Sequence, residues 1–268
     1  MKLQEYYNTE THKMVAEFIS KSEIRDALDR YDFRFVYRKF NEECTNSTVG
    51  CFTEKLLKLG IDPLENTTDV PVCYLYEADI DTYNLHDNIK NIFELAFSHS
   101  KITHITLPES LEVIDLRAFE SCNRLESVDF SKCKNLKIIG NSAFCATGIV
   151  NLDLSNTSVE HIEASAFYLC DELETIKLPS TLKYIDEECF CFCKNLKIVE
   201  LPEGVEEIGN GAFSCCDKLE SIKLPSTLTY ISKYSFDNCH SLKEIIAPEH
   251  AKILIDKIVL HDVTVTYY

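Results

Sequence analysis

The sequence predicts an α+β protein in which a solenoid of about eight 23-residue coils follows a small helical cap. After residue 72, one apolar framework recurs around an aromatic residue every 22 to 25 positions. Residues 1–72 lack this framework and place apolar residues at helical spacing. Residues 249–268 combine a helical pattern with an alternating one, which predicts a helix and a strand that close the other end.

The repeat is clearest where LKYIDEECFCFCKNLKIVELP is followed by VEEIGNGAFSCCDKLESIKLP, between Leu182 and Leu224. The central aromatic residues of the eight copies are Tyr74, Phe97, Phe119, Phe144, Phe167, Phe190, Phe213 and Phe236. A unit of this length buries too little surface to form its own core, so stacked units must complete each other's core. We therefore predict a continuous phenylalanine column as the spine of an elongated stack.

One segment of each coil, the main strand, is predicted to pair in parallel between coils, and a second, the ascending segment, is predicted to supply another outward column. The main strand is the L-x-x-I-x-L segment after the aromatic residue, and the ascending segment is the L-x-x-I segment before it. Parallel strands lie about 4.8 Å apart, so eight coils would span roughly 40 Å. Ser100 and Thr147 replace the repeat cysteine in two copies, and the Phe144 copy carries extra residues. We expect local bulges there and no break in the stack.

The framework L-P-x-x-L-x-x-I-x-x-x-A-F-x-x-C-x-x-L resembles that of the BspA-like leucine-rich repeats over residues 73–248. This resemblance implies a leucine-rich-repeat solenoid and a recognition scaffold without chemistry of its own. A fold names neither a partner nor an activity. The predicted domains are a helical N-terminal cap at 1–72, the repeats at 73–248 and a C-terminal cap at 249–268.

The first 72 residues are predicted to form four helices, which begin near Thr9, Ser22, Asp32 and Thr48, and Gly60 ends the last of them. An open solenoid end exposes apolar columns, so we expect the block to cover that end, with an independent binding domain as the alternative. Helical blocks of this kind are similar to those that precede repeats of this family in phage-encoded proteins.

The C-terminal cap is predicted to contain a helix over 249–259 that turns Ile253, Leu254 and Ile258 inward. The alternating segment VTVTYY at 263–268 predicts a final strand. Such a strand is a terminal edge, which invites pairing with another chain unless it is covered.

The net charge of −17 lies mainly in the repeats: residues 1–72 carry 10 basic and 13 acidic side chains, and residues 73–268 carry 17 and 31. This charge repels phosphate backbones and anionic membranes, which argues against nucleic-acid and membrane partners. A basic protein partner fits this charge, and solubility is the alternative explanation for it.

No apolar run has the length of a signal peptide or a membrane span, so we expect a cytoplasmic monomer, in the host cytoplasm if the protein is viral.

The thirteen cysteines follow the repeat more than any metal motif. Five of them occupy the same position of the repeat, here called the cysteine slot, three residues after the central aromatic residue: Cys122, Cys170, Cys193, Cys216 and Cys239. Cys189 occupies the alanine slot, directly before the aromatic residue. These positions predict small, buried, reduced thiols. The dense group of Cys189, Cys191, Cys193, Cys215 and Cys216 is the alternative, a zinc site. The C-x-C-x-C spacing is unusual for zinc and no histidine accompanies it, so we predict no metal and no cofactor.

Catalytic signatures are absent from the sequence: it contains no G-x-S-x-G, phosphate-binding glycine loop or H-E-x-x-H motif, and only 7 glycines. Enzymatic activity is therefore not predicted. The candidate function lies on the surface, because alternate residues of each strand must point outward.

Two outward sets are candidate partner-binding surfaces. The first, the ascending row, precedes the isoleucine of each ascending segment: Asn91, Val113, Ile138, His161, Tyr184, Glu207 and Tyr230. It is unusually apolar, and we expect a partner to dock on Tyr184 and Tyr230, with Lys183 alongside and His161 at the margin. Coverage by neighbouring loops is the alternative. The rival surface, here called the main-strand ladder, consists of the outward residues of the main strands. It is polar and includes Asp129, Asp153, Lys177 and Glu200.

Two function classes follow from these observations. The first is a non-catalytic protein-interaction scaffold, viral in one version, that binds or blocks a host protein. The second is a cell-surface or secreted adhesin, a role that the family resemblance also implies. A third interpretation, an acidic mimic of nucleic acid, depends on charge alone.

Overall fold

The computed structural model describes residues 68–70, 75, 77–256, 258 and 262–268. These residues form a parallel β-solenoid of 22- to 25-residue coils in which each coil adds a strand to each of two faces. Tyr74 and the predicted cap helices at 1–72 lie outside the described residues, apart from 68–70. The prediction of a 23-residue solenoid is confirmed, and the α part of the α+β prediction is nearly absent from the part of the chain that the structure describes.

The ascending segments form one continuous eight-stranded parallel sheet, here called the ascending sheet. Numbered along the chain, its strands are β1 (Asp69–Val70), β3 (Asn91–Ile92), β5 (Val113–Ile114), β7 (Ile138–Ile139), β9 (His161–Ile162), β11 (Tyr184–Ile185), β13 (Glu207–Ile208) and β15 (Tyr230–Ile231). The register is the same at every step: Tyr184 lies beside His161 and Glu207. From β3 onward, the isoleucine of each strand is buried in the core.

The main strands form two sheets. A three-stranded sheet contains β2 (Thr82–Asn84), β4 (His104–Thr106) and β6 (Ser127–Asp129). A six-stranded sheet contains β8 (Asn151–Asp153), β10 (Thr175–Lys177), β12 (Ile198–Glu200), β14 (Ser221–Lys223), β16 (Glu244–Ala247) and β17 (Thr264–Tyr267). All the pairings between these strands are parallel.

The interruption between β6 and β8 falls at the coil with extra residues. The backbone is tight there, because a Cβ atom on Gly148 would lie 2.6 Å from the carbonyl oxygen of Asn123. The ascending sheet passes through the same coil without a gap, from β5 to β7 to β9. The stack is therefore continuous, as predicted, whereas the main-strand hydrogen bonding is interrupted.

The phenylalanine column is the centre of the core. Seven rings, from Phe97 to Phe236, stack in sequence with centroid separations of 4.8 to 6.0 Å. All but Phe236 are fully buried. The predicted spine is confirmed over these seven coils.

Each phenylalanine from Phe97 to Phe213 lies in a tight backbone arch. Around Phe190, the residues two before and two after it, Glu188 and Phe192, have left-handed backbones with φ of 54° and 61°. The N–H groups of Glu188, Phe190 and Phe192 donate to carbonyls of the next coil at 2.8, 2.8 and 2.9 Å. A left-handed non-glycine residue costs on the order of 1–2 kcal/mol. These inter-coil hydrogen bonds offset that cost, and they satisfy backbone groups that the core would otherwise leave unpaired.

The repeat cysteines have a bonding role that adds to their small size. Each thiol donates to the carbonyl of the phenylalanine in the preceding coil, at 3.0 to 3.3 Å, from Cys122, Cys170, Cys193, Cys216 and Cys239. In the Phe144 copy, Thr147 instead donates to the carbonyl of its own Phe144 at 3.0 Å. The slot therefore selects a small side chain that can donate a hydrogen bond.

The C-terminal cap differs from its prediction. Only Glu249–Ala251 is a 3₁₀ turn and only Lys252–Ile255 is α-helical (α1), so the helix is much shorter than 249–259. The expected inward position of Ile253 is wrong: this side chain is 70% exposed, and Ile255 is buried in its place. Four residues make only about one helical turn, which is too short for the spacing of apolar residues to define a buried face. The packing of α1 on β15 therefore decides which of its side chains are buried. The predicted final strand is β17.

Candidate functional site

The main-strand ladder is polar, and many of its side chains are already bonded to each other. Lys177 pairs with Asp153 at 3.1 Å, and Thr175 donates to Asn151 at 2.6 Å. Asp129 and Asp153 each accept a hydrogen bond from the serine two residues later, which lowers the pKa of both carboxyl groups. These groups of the ladder are solvated and already have partners of their own.

Two ladder residues stand apart from those pairs. Glu200 is exposed and lies beside Lys223 of the next strand, and Ile198 is 58% exposed among polar neighbours. A single exposed apolar residue is common on soluble proteins and does not define an interface. The rival surface therefore has little apolar area to bury.

The ascending row is one continuous line of side chains, because the register of the ascending sheet never shifts. Neighbouring positions pair directly: Val113 with Ile138, Ile138 with His161, and Glu207 with Tyr230. Ile138 is 39% and Tyr230 is 51% exposed, while Val113, His161 and Tyr184 are half-buried. The structure thus brings the five predicted apolar and aromatic residues onto one face.

The middle of the row is held in place by a local cluster. The rings of His161 and Tyr184 meet edge to face, with centroids 5.7 Å apart. Nε2 of His161 lies 2.9 Å from a carboxylate oxygen of Asp186 but is poorly aligned for a hydrogen bond, so the contact is chiefly one of charge when the imidazole is protonated. A half-buried tyrosine fixed in this way loses little rotamer entropy when it binds a partner.

Charged side chains border the aromatic pair. Lys183 and Glu207 are exposed and Glu206 is half-buried, and all three lie within one coil of Tyr184 or Tyr230. Glu187 and Glu188 are exposed on the same coil as Tyr184. The border is therefore mainly acidic, which complements a basic surface.

Sequence reasoning missed two exposed residues near the C-terminal end of the stack, Tyr234 and Ile253. Tyr234 is 46% exposed with the ammonium of Lys233 4.5 Å from its ring centre, and Ile253 projects from α1, which packs against β15. Tyr234 falls two positions before Phe236, outside the row, and Ile253 was assigned to the core. Only the folded chain shows that both side chains are exposed.

The cysteine group proposed as an alternative zinc site is divided by the fold. Cys193 and Cys216 are buried and bonded to phenylalanine carbonyls, and Cys189 is buried in the alanine slot. Burial raises the pKa of Cys191 to about 12, and that of Cys189 and Cys193 well above the usual range. Among the described residues, no three histidine, cysteine or acidic side chains are grouped to hold a metal ion. Within the same ranges, no helix has the length and apolarity of a membrane span.

The architecture and its repeated slots define a parallel β-solenoid of the leucine-rich-repeat class. The family model described as BspA type Leucine rich repeat region matches residues 50–170 and 160–259. The chain belongs to this family of BspA-type leucine-rich repeat proteins, whose members are generally non-catalytic binding scaffolds.

Solved structures of leucine-rich repeat proteins are similar to the chain. A leucine-rich cell surface protein from Faecalibacterium prausnitzii is 24% identical, with a TM-score of 0.48, over 72% of this chain and 60% of that one. A leucine-rich repeat protein from Bacteroides ovatus is 21% identical, with a TM-score of 0.37, over 76% of this chain and 82% of that one. The chain therefore spans about 60% of the length of the first protein, and these likenesses concern the fold alone. A comparison with curated proteins returns no match.

Proposed function

We propose that the chain is a non-catalytic scaffold that binds a protein partner through the ascending row. The observation that carries this proposal is the unbroken row from Val113 to Tyr230, which aligns half-buried and exposed apolar and aromatic side chains on one sheet. Aromatic residues in such a setting dominate binding energy at protein interfaces. The main-strand ladder offers fewer apolar side chains and more internal pairs.

The proposed partner presents an apolar patch bordered by basic side chains. Tyr184 and Tyr230 are two coils apart, which corresponds to about 10 Å at the spacing of parallel strands. Glu207 lies between them, and the other nearby carboxylates make the border acidic. The apolar pair would supply most of the affinity, and the acidic border would steer a basic protein and select against acidic ones.

The test compares two double variants with a partner captured from the native cell by the wild-type chain. Tyr184→Ala with Tyr230→Ala should weaken binding by roughly 2–4 kcal/mol, as hot-spot truncations do. Asp153→Ala with Lys177→Ala is the matched control on the other face and should leave binding within a factor of about three. Calorimetry gives the affinities, and circular dichroism checks that both variants stay folded. If the control abolishes binding and the tyrosine pair does not, the partner binds the main-strand face.

A cell-surface or secreted adhesin is the second candidate, supported by membership of the repeat family. The same row would serve it, and one similar structure is of a cell surface protein. The hydrogen bonds donated by the repeat thiols favour the first candidate, since they need reduced cysteines and a cytoplasm keeps cysteines reduced. Thiol titration of protein from its native source separates the two, because an adhesin should hold most of its cysteines as disulfides.

A further inference from the structure

The two faces of the solenoid end differently at the C terminus. The ascending sheet ends at β15, against which α1 packs. The main-strand sheet continues one strand further to β17, and β16 is the only strand paired with β17 among the described residues. Within the described part of the chain, no second strand pairs with β17, which forms an edge of the six-stranded sheet.

The hydrogen bonds of β17 show which backbone groups face outward. Thr264 and Tyr268 donate their N–H groups to the carbonyls of Lys243 and Ala247 at 2.8 and 3.0 Å. Backbone groups of a strand alternate in direction, so Thr266 also faces β16. The N–H and C=O groups of Val265 and Tyr267 consequently point away from the sheet.

We propose that this edge pairs with the β17 edge of a second copy of the chain, in antiparallel direction. Pairing Val265 with Tyr267 of the second copy, and Tyr267 with its Val265, uses every outward backbone group of these residues in four hydrogen bonds. Thr266 then lies opposite itself on a twofold axis. The dimer joins two six-stranded sheets into one.

The side chains suit this register. Val265 and Tyr267 lie half-buried on the core side, and a β-branched residue opposite an aromatic one is a favourable cross-strand pair. Thr264 and Thr266 are exposed on the other side. Segment 264–267 contains no lysine, proline or bulge, the devices with which edge strands avoid pairing.

Charge also favours a second copy at this place. The chain carries a net charge of −17, so two copies repel each other over most of their surfaces. Residues 263–268 are VTVTYY and carry no charged side chain. The charges beside them have both signs, because Thr266 donates to Glu244 while Lys223 and Lys252 lie over the rings of Tyr268 and Tyr267, so the repulsion is weaker at this edge than elsewhere. The short, twofold-symmetric contact predicts a weak dimer that replaces the monomer expected from the sequence.

The first test is sedimentation equilibrium of the full chain from about 1 µM to 500 µM, the range of weak association. The mass should rise from 30.7 kDa toward twice that value. Val265→Pro removes an outward N–H from each copy, two of the four bonds, and should weaken the dimer by about tenfold or more. Thr266→Lys places like charges face to face on the axis and should also give a monomer. Thr175→Lys makes the same change on an interior strand and should leave the dimer intact.

The second test fixes the register. Under mild oxidation with diamide, Thr266→Cys should cross-link to itself, whereas Thr264→Cys, which faces Tyr268 of the second copy, should not exceed the wild-type background. A chain that stays monomeric throughout, or a dimer that survives both Val265→Pro and Thr266→Lys, overturns the proposal. Tyr184→Ala with Tyr230→Ala should still dimerise, so the result is independent of the proposed binding row.

Discussion

Replacing Phe190 with alanine tests whether the phenylalanine column holds the coils together. The ring is fully buried and stacks at 5.3 Å on Phe167 and at 5.4 Å on Phe213. Burial of one such side chain is worth about 1.5–3 kcal/mol, and each of two aromatic contacts adds about 0.5–1.5 kcal/mol. The sum is about 2.5–6 kcal/mol, and we expect a loss of roughly 3–5 kcal/mol, the usual cost of deleting a buried phenylalanine.

Two further variants provide reference losses of unfolding free energy for comparison with Phe190→Ala. Phe236 lies at the end of the column, with a single ring neighbour at 6.0 Å, so Phe236→Ala should cost roughly 0.5–1.5 kcal/mol less than Phe190→Ala. Phe192→Ala removes a half-buried ring only two residues away, in contact with Tyr168 at the surface, and should cost about 1 kcal/mol.

The assay is urea unfolding followed by far-ultraviolet circular dichroism, with hydrogen exchange to locate the loss. Exchange should speed up first in the coils of Phe167 and Phe213, because coupling in a solenoid acts between neighbours. If Phe190→Ala costs no more than Phe192→Ala, the column is not the source of stability and this reasoning is wrong.

Two other predictions concern the cysteines and one glycine. At pH 8, iodoacetamide should label Cys215, which is half-buried, before Cys122, Cys133, Cys170 and Cys191, because burial raises the pKa of these four thiols to about 12 and so lowers their thiolate fraction. Mass spectrometry should find those four labelled only on unfolding or at much higher pH, and rapid labelling of native Cys170 would contradict the burial. Gly209→Ala should destabilise the fold by about 1–3 kcal/mol, since its Cβ atom would lie 2.6 Å from backbone atoms of Asp186 and Glu187. Gly211→Asn is the control, because the slot is open and holds non-glycine residues in other coils, and equal losses in urea unfolding would refute the steric argument.

The repeat made the main strands and the outward positions of both segments predictable, but it did not predict that the ascending segments pair into a second sheet. Once Phe190 was taken as a core position, the alternation around it placed Tyr184 and Lys177 outward, and the structure agrees. Identical slots in successive coils must stack, so one correct assignment fixes all the others. The same logic placed the candidate row on one face, although whether a partner binds there stays a prediction.

The sequence repeat does not predict features that depend on atomic distances. The left-handed positions hold residues as different as Glu188 and Phe192, so residue type gave no signal for them. The thiol bonds to phenylalanine carbonyls need the inter-coil spacing, and cysteine had been explained by size alone. The predicted length and inward face of the C-terminal helix were wrong because a single turn is too short to show a helical period. The exposure of Ile253 depends on how that turn packs against the solenoid.

The constant register of the ascending sheet makes the candidate binding surface modular. The outward slot holds valine, isoleucine, histidine, tyrosine and glutamate in successive coils, while the inward isoleucine beside it stays the same. A change of outward residue therefore leaves the core untouched, and the insertion of one whole coil would lengthen the surface by about 4.8 Å without redesign of its neighbours. Such a surface could acquire a new partner through a few local exchanges, at positions that the fold itself leaves free to vary.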